Sequence, residues 1–121
     1  MEQNTAPVVL LVEDEILVRA TTSEIIADAG YFVLEASNAD EAIILLEARS
    51  DVAIIVSDIT MPGSMDGLEL ANMVHERWAE IRIILTSGKE RPAREALPDG
   101  VIFVEKPFGT ELVSELRRVS Q

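Results

Sequence analysis

Val52-Ala53-Ile54-Ile55-Val56-Ser57-Asp58-Ile59-Thr60-Met61-Pro62-Gly63-Ser64-Met65-Asp66-Gly67 is the stretch that decides the fold. Its first half is an apolar run of strand length, rich in Val and Ile. Such a run suits a strand covered on both faces, as in a parallel sheet. It ends on an acid, Asp58, and a Pro-Gly loop then stops the strand. Asp58 therefore stands at the carboxyl end of a central strand. In open α/β sheets that rim is where ligands bind. A lone acid here could equally be a helix cap, so its meaning depends on what else reaches the same rim.

The pattern repeats outward in both directions. Upstream, Asn38 begins a helix with Glu41 three residues on, a capping-box spacing, and Ala39, Ala42, Ile43 and Leu46 form its inward stripe. Before it, Phe32 to Ala36 reads as a short strand. Before that, a helix is expected from about Ile16 to Ala29, with Leu17, Thr21, Ile25 and Ala29 on one face and Gly30 ending it. Val8 to Val12 is another buried-strand run, followed at once by Glu13, Asp14 and Glu15. Residues 1–7 are a polar leader.

Downstream, Leu68 to Trp78 is helical, with Leu68, Ala71, Val74 or His75, and Trp78 on one side. Arg82 to Ser87 is a fourth strand that ends on Thr86, Ser87 and Gly88. Lys89 to Asp99 carries Pro92 and Pro98, so any helix there is short, about Pro92 to Ala96. Val101 to Glu105 is a fifth strand ending at Lys106-Pro107. Thr110 or Gly109 caps a last helix with Leu112, Val113, Leu116 and Val119 inward. Five alternations of strand and helix imply an α/β fold: a doubly wound, five-stranded parallel sheet with five helices and right-handed crossovers. The 121 residues make a single domain, 1–121, with no output domain expected.

Composition narrows the function classes. There is no Cys, hence no disulfide framework and no thiolate metal site. No apolar run is long enough to span a bilayer, and no signal-peptide pattern opens the chain; a cytoplasmic protein without a membrane partner is expected. Acids outnumber bases 22 to 10, for a net charge of −12, which argues against nucleic acid as a partner. The imbalance is uneven. Residues 1–88 hold 16 acids and 4 bases, whereas residues 89–121 hold 6 of each.

The strand ends carry the chemistry. The first gives Glu13 and Asp14, the third Asp58, the fourth Thr86 and Ser87, the fifth Lys106. The second gives nothing comparable. In a parallel sheet these ends share one rim. Like charges about 4 Å apart repel by roughly 4 kcal/mol at an effective dielectric near 20, so the acids call for a cation. All-oxygen donors select a hard ion, and partial ligation with water left over suits Mg²⁺. A carboxylate beside such an ion can attack a phosphoryl group, and an ammonium can neutralise the transferred oxygens.

With these residues in view, the chain resembles the receiver domains of two-component response regulators, of the single-domain chemotaxis type. The resemblance rests on Glu13-Asp14, Ser57-Asp58-Ile59-Thr60-Met61-Pro62, Met65-Asp66-Gly67, the hydroxyl before Gly88, and Lys106-Pro107-Phe108. It implies a flavodoxin-like receiver fold with strand order 2-1-3-4-5. It implies that Asp58 accepts the phosphoryl group, that Asp14 ligates Mg²⁺ directly, that Glu13 acts through water and that Thr60 offers its backbone carbonyl. Lys106 would pair with the phosphoryl group and Phe103 would be the switch aromatic. The switch hydroxyl is Thr86 or Ser87; Ser87 is preferred because a small residue follows it. Pro107 would follow a cis peptide bond. The implied partners are a sensor histidine kinase or phosphotransfer protein and a downstream protein, with self-association as a homodimer the other outlet. The chain departs from the family in a β3–α3 loop one residue longer, in Glu13 where Asp is frequent, and in a short segment between Ser87 and Lys106.

Other functions fit less well. A haloacid-dehalogenase-type phosphatase also uses an aspartyl-phosphate, but it needs an Asp where Thr60 stands. A nucleotide- or flavin-binding module needs a glycine- or hydroxyl-rich loop after the first strand, where this chain is acidic. A receiver that binds partners without phosphorylation would have no use for the full acid, hydroxyl and lysine set.

Overall fold

Each apolar run pairs with its neighbours because a strand apolar on both faces is stable only between other layers. The structure, a computed structural model, describes residues 6–88, 92, 94–106 and 110–120. The strands are β1 Val8–Val12, β2 Phe32–Ala36, β3 Val52–Asp58, β4 Arg82–Ser87 and β5 Ile102–Glu105. All pair in parallel, in the order β2-β1-β3-β4-β5. The helices are α1 Ile16–Asp28, α2 Ala39–Ala48, α3 Gly67–Arg77 and α4 Glu111–Val119.

The sheet separates two cores. On one side Val8, Leu10, Val12, Ile55, Ile83 and Leu85 pack with Leu46, Leu70 and Val74 from α2 and α3. On the other, Val9, Leu11, Ile54, Val56, Ile84 and Val104 pack with Ile26, Leu112 and Leu116 from α1 and α4. Alternation along each strand produces this division. A register shift opposite Val8 and Val9 leaves Ala53 exposed and sets the alternation of β3 from Ile54 onward.

Two expectations need correction. The described residues contain four α-helices, not five: between β4 and β5 lies a single 3-10 turn, Arg94–Ala96. Pro92 and Pro98 bracket too few residues there for an α-helical turn to propagate. On α1 the face carrying Leu17 and Thr21 is exposed, and the buried residues are Thr22 and Ile26. One residue is 100° of helix, so an offset of one exchanges the faces. On α3 the expected face holds: Ala71 and Val74 are core, Leu68 and Trp78 pack against it, and of the two alternatives Val74 is the buried one and His75 the exposed one. The expected cis bond before Pro107 lies outside the described residues, as do Lys89 and Arg91.

Candidate functional site

Four side chains reach the carboxyl rim by the same rule. Leu11, Val56, Ile84 and Val104 belong to the core on the α1 and α4 side. Two residues beyond them come Glu13, Asp58, Thr86 and Lys106, and a strand returns to the same face every second residue. The register agrees, since Asp58 is paired with Thr86. Ser87 alternates with Thr86 along β4, and it too lines the cleft beside Asp58. β-Ladder bonds continue past the strands to hold the rim: Ile59 N–H donates to Thr86 O at 2.9 Å, and Lys106 N–H to Ser87 O at 2.9 Å.

The result is an open cleft of about 300 Å³ lined by Asp14, Glu15, Val18, Asp58, Thr60, Ser87, Gly88 and Lys106. Carboxylate oxygens of Glu13, Asp14 and Asp58 lie within 4.8 Å of one another. Lys106 Nζ sits between two of them, 2.6 Å from Glu13 Oε1 and 3.4 Å from Asp58 Oδ2. Glu13 is only 3% exposed and also accepts the Glu15 N–H at 3.3 Å. Thr86 is buried, and its hydroxyl donates a long 3.4 Å bond to Ser57 O. Phe103 is half-buried and packs against the core that contains Ile83 and Leu85.

The electrostatics follow from this packing. Burial pushes the Asp58 carboxyl above its ordinary range; Lys106 and the Thr60 backbone oppose that, and Asp14 adds to it. Burial likewise raises Glu13, with Lys106 opposing and Asp58 adding. A site that disfavours its own negative charge is one that a cation would stabilise. The donor set is all oxygen, which fits a hard divalent ion and not a soft one.

One side chain at the site went unread in the sequence. Arg19 on α1 donates from Nη1 to the Glu13 carbonyl oxygen at 2.9 Å and from Nε to Glu35 Oε1 at 3.2 Å. Glu35 lies on β2, the strand that offered nothing to the rim directly. An i to i+16 pair between a helix and the next strand leaves no periodic signal, so only the fold reveals it.

The family description for a response regulator receiver domain matches residues 9–117. The chain belongs to the response regulator receiver family. Among relatives, this receiver is 35% identical to the transcriptional regulatory protein ResD of Bacillus subtilis over 131 residues, covering all of this chain and 52% of ResD. It is 34% identical to the chemotaxis protein CheY1 of Helicobacter pylori, covering 88% of this chain and 90% of CheY1. The solved structure of the Vibrio cholerae chemotaxis protein CheY4 superposes with a TM-score of 0.81 at 28% identity, covering 95% and 99% of the two chains. The receiver spans about half or less of the first curated relatives it matches. Receivers are the signalling domains of two-component systems, and the acidic cluster here has the composition that such domains use for a divalent cation.

Proposed function

We propose that this receiver accepts a phosphoryl group on Asp58 from a histidine kinase or phosphotransfer protein and passes the signal to a protein partner. The observation that carries the reading is Asp58 in the cleft, beside Asp14 and 3.4 Å from Lys106 Nζ. A carboxylate oxygen of Asp58 attacks phosphorus; the O–P bond forms as the P–N bond of a phosphohistidine breaks, and the electron pair leaves on the imidazole. Mg²⁺, when bound, would offset the charge on the transferred group. Asp14, Asp58 and the Thr60 carbonyl would hold it. Glu13 acts through water, a role supported by its burial and its engagement with Lys106.

Lys106 pairs with the transferred group. Thr86 serves as the switch hydroxyl, in place of the Ser87 preferred on sequence grounds, because Thr86 shares a sheet face and a register position with Asp58. Phe103 is the aromatic that responds. Exposed Leu17 on α1 lines an apolar groove that shares Val18, Gly88 and Lys106 with the cleft, a surface suited to an incoming phosphodonor.

The stand-alone form, supported by the near-complete match to CheY1, is part of the same proposal. So is a cytoplasmic setting: among the described residues no helix is long and apolar enough to cross a membrane. A native protein much larger than 13.3 kDa on an immunoblot would remove the stand-alone reading.

The direct test is incubation with acetyl phosphate, with and without Mg²⁺. One retained phosphoryl group, dependent on Mg²⁺ and absent in Asp58→Asn, is expected. Unchanged labelling of Asp58→Asn would sink the assignment, and repeated turnover would favour a phosphatase.

A further inference from the structure

We propose that Arg19 is a positioning residue for the cation site, acting by fixing the peptide that carries Asp14. The inference rests on the reading of the cleft given above. Asp14 falls between the end of β1 at Val12 and the start of α1 at Ile16, where neither element fixes it. Glu13 is instead anchored at both of its backbone groups. Its N–H donates to Ala36 O beside β1, at 3.0 Å. Its carbonyl oxygen accepts from Arg19 Nη1 at 2.9 Å, and Arg19 is itself held by Glu35 on β2.

The Glu13 carbonyl and the Asp14 amide nitrogen lie in one planar peptide unit. Fixing that oxygen orients the plane and with it the position of the Asp14 Cα, and so limits where its carboxylate can reach. The guanidinium suits the task because its donors diverge in a rigid fork and serve two acceptors at once. At 19% exposed, the side chain is enclosed enough for the contact to persist. The loop is thereby ordered during folding, and the ion need not order it on binding.

Charge and position predict opposite signs. A cationic side chain near a divalent site weakens ion binding by repulsion, so an Arg19 that acted only through its charge would yield tighter binding when removed. A positioning Arg19 yields weaker binding. Loss of groups that orient metal ligands typically costs about 10–100-fold in affinity.

The experiment is a Mg²⁺ titration of wild type, Arg19→Met, Arg19→Lys, Glu35→Gln and Asp14→Asn, read by calorimetry and by ion-induced amide shifts. Met keeps the apolar stem; Lys keeps the charge but cannot bridge both acceptors. Arg19→Met is expected to weaken binding about tenfold. Arg19→Lys should fall between Met and wild type, and Glu35→Gln should weaken it less than Met does. Ion-free Arg19→Met should show amide changes centred on Asp14 and Glu15, with the sheet amides unmoved. Should Arg19→Met fail to fold, Arg19→Lys and Glu35→Gln carry the test. Tighter or unchanged binding in the Arg19 and Glu35 variants, alongside a large loss in Asp14→Asn, overturns the role of Arg19 alone. Absence of Mg²⁺ binding by wild type, or no loss in Asp14→Asn, overturns the reading of the cleft together with it.

Discussion

At Asp58 the chain keeps a carboxylate where burial disfavours its charge, and this has a cost that can be measured. The folded-state pKa is raised above the unfolded value. Ionised Asp58 therefore destabilises the fold above the folded-state pKa. The penalty fades as pH falls through that value and is gone below the unfolded pKa of about 3.9. Asp58→Asn removes the charge, and Lys106 keeps its partner Glu13. In chelator at pH 7 the variant should melt higher, by on the order of a few degrees. The gain should shrink as pH approaches 4; a gain independent of pH would mean that the charge is not its source. Gly67 is the other residue on which the placement of Asp58 depends. Its N–H donates to Ile59 O at 2.8 Å, and a Cβ there would run into the Asp58 carbonyl oxygen and the Ile59 backbone. Gly67→Ala should cost about 1–3 kcal/mol in urea unfolding and also slow labelling of Asp58, because the backbone that must yield is the one that aims it. A stable Gly67→Ala protein with wild-type labelling would contradict that close packing.

Among the elements, strands were far more legible than helix faces, and the reason is physical. A buried parallel strand is apolar on both faces, so its bounds follow closely from the run itself; β1 begins and ends where its apolar run does, and β2 and β4 have the bounds read from the sequence. Helix faces depend on phase. On α1 the i, i+4 series through Leu17 starts in solvent, Leu17 being 78% exposed, and meets the core only at Ala29, because the buried face is centred on Thr22 and Ile26. Caps were read in part. Asn38 accepts the Glu41 N–H at 2.9 Å as its spacing implied, but Glu41 reaches back to Ser37, not to Asn38. The complete box sits on α3, between Asp66 and Glu69, although the same spacing was present in the sequence there. That cap holds the helix start next to Asp58. Asp66→Ala should therefore lower stability by about 1 kcal/mol, seen as a lower urea midpoint with an unchanged slope. Mg²⁺ affinity should stay within about twofold, because Asp66 contributes no oxygen to the acidic cluster. A large loss of ion affinity would instead make this helix start part of the site.

For the molecule as a whole, the rim set of Glu13, Asp14, Asp58, Thr86, Ser87 and Lys106 was legible because sheet topology alone forces the carboxyl ends together. What hid was Arg19, whose contacts need the tertiary pairing of α1 with β2. The same topology bears on how a signal leaves. Phosphorylation replaces the single negative charge of ionised Asp58 by an acyl phosphate of about −1.5 to −2, a net gain of at most about one negative charge in a molecule that already carries −12, so new contacts must come from cationic groups. Lys106 is a cation within reach of Asp58, at 3.4 Å, and it is engaged with Glu13 at 2.6 Å. Drawing it to Asp58 would loosen that pair and pull on the end of β5, three residues from Phe103. Phe103 lines a surface cleft of about 620 Å³ with Pro92, Leu97, Pro98 and Val101, where no α-helix lies among the described residues. Room for a side chain to move, next to a strand end that the acceptor can pull, makes this edge and α4 the expected outlet. Residues 89–121 also balance acids with bases, unlike the remainder, so an acidic partner or a second copy meets less repulsion there. A hundredfold preference for the phosphorylated form requires about 2.7 kcal/mol of differential affinity, within reach of one repacked aromatic and one exchanged ion pair. Beryllium fluoride with Mg²⁺ should shift the amides of Thr86, Phe103, Lys106 and α4, and Lys106→Arg should keep labelling while losing the shifts at Phe103 and α4. Shifts confined to the neighbourhood of Asp58, or a wild-type pattern in Lys106→Arg, would place the outlet elsewhere.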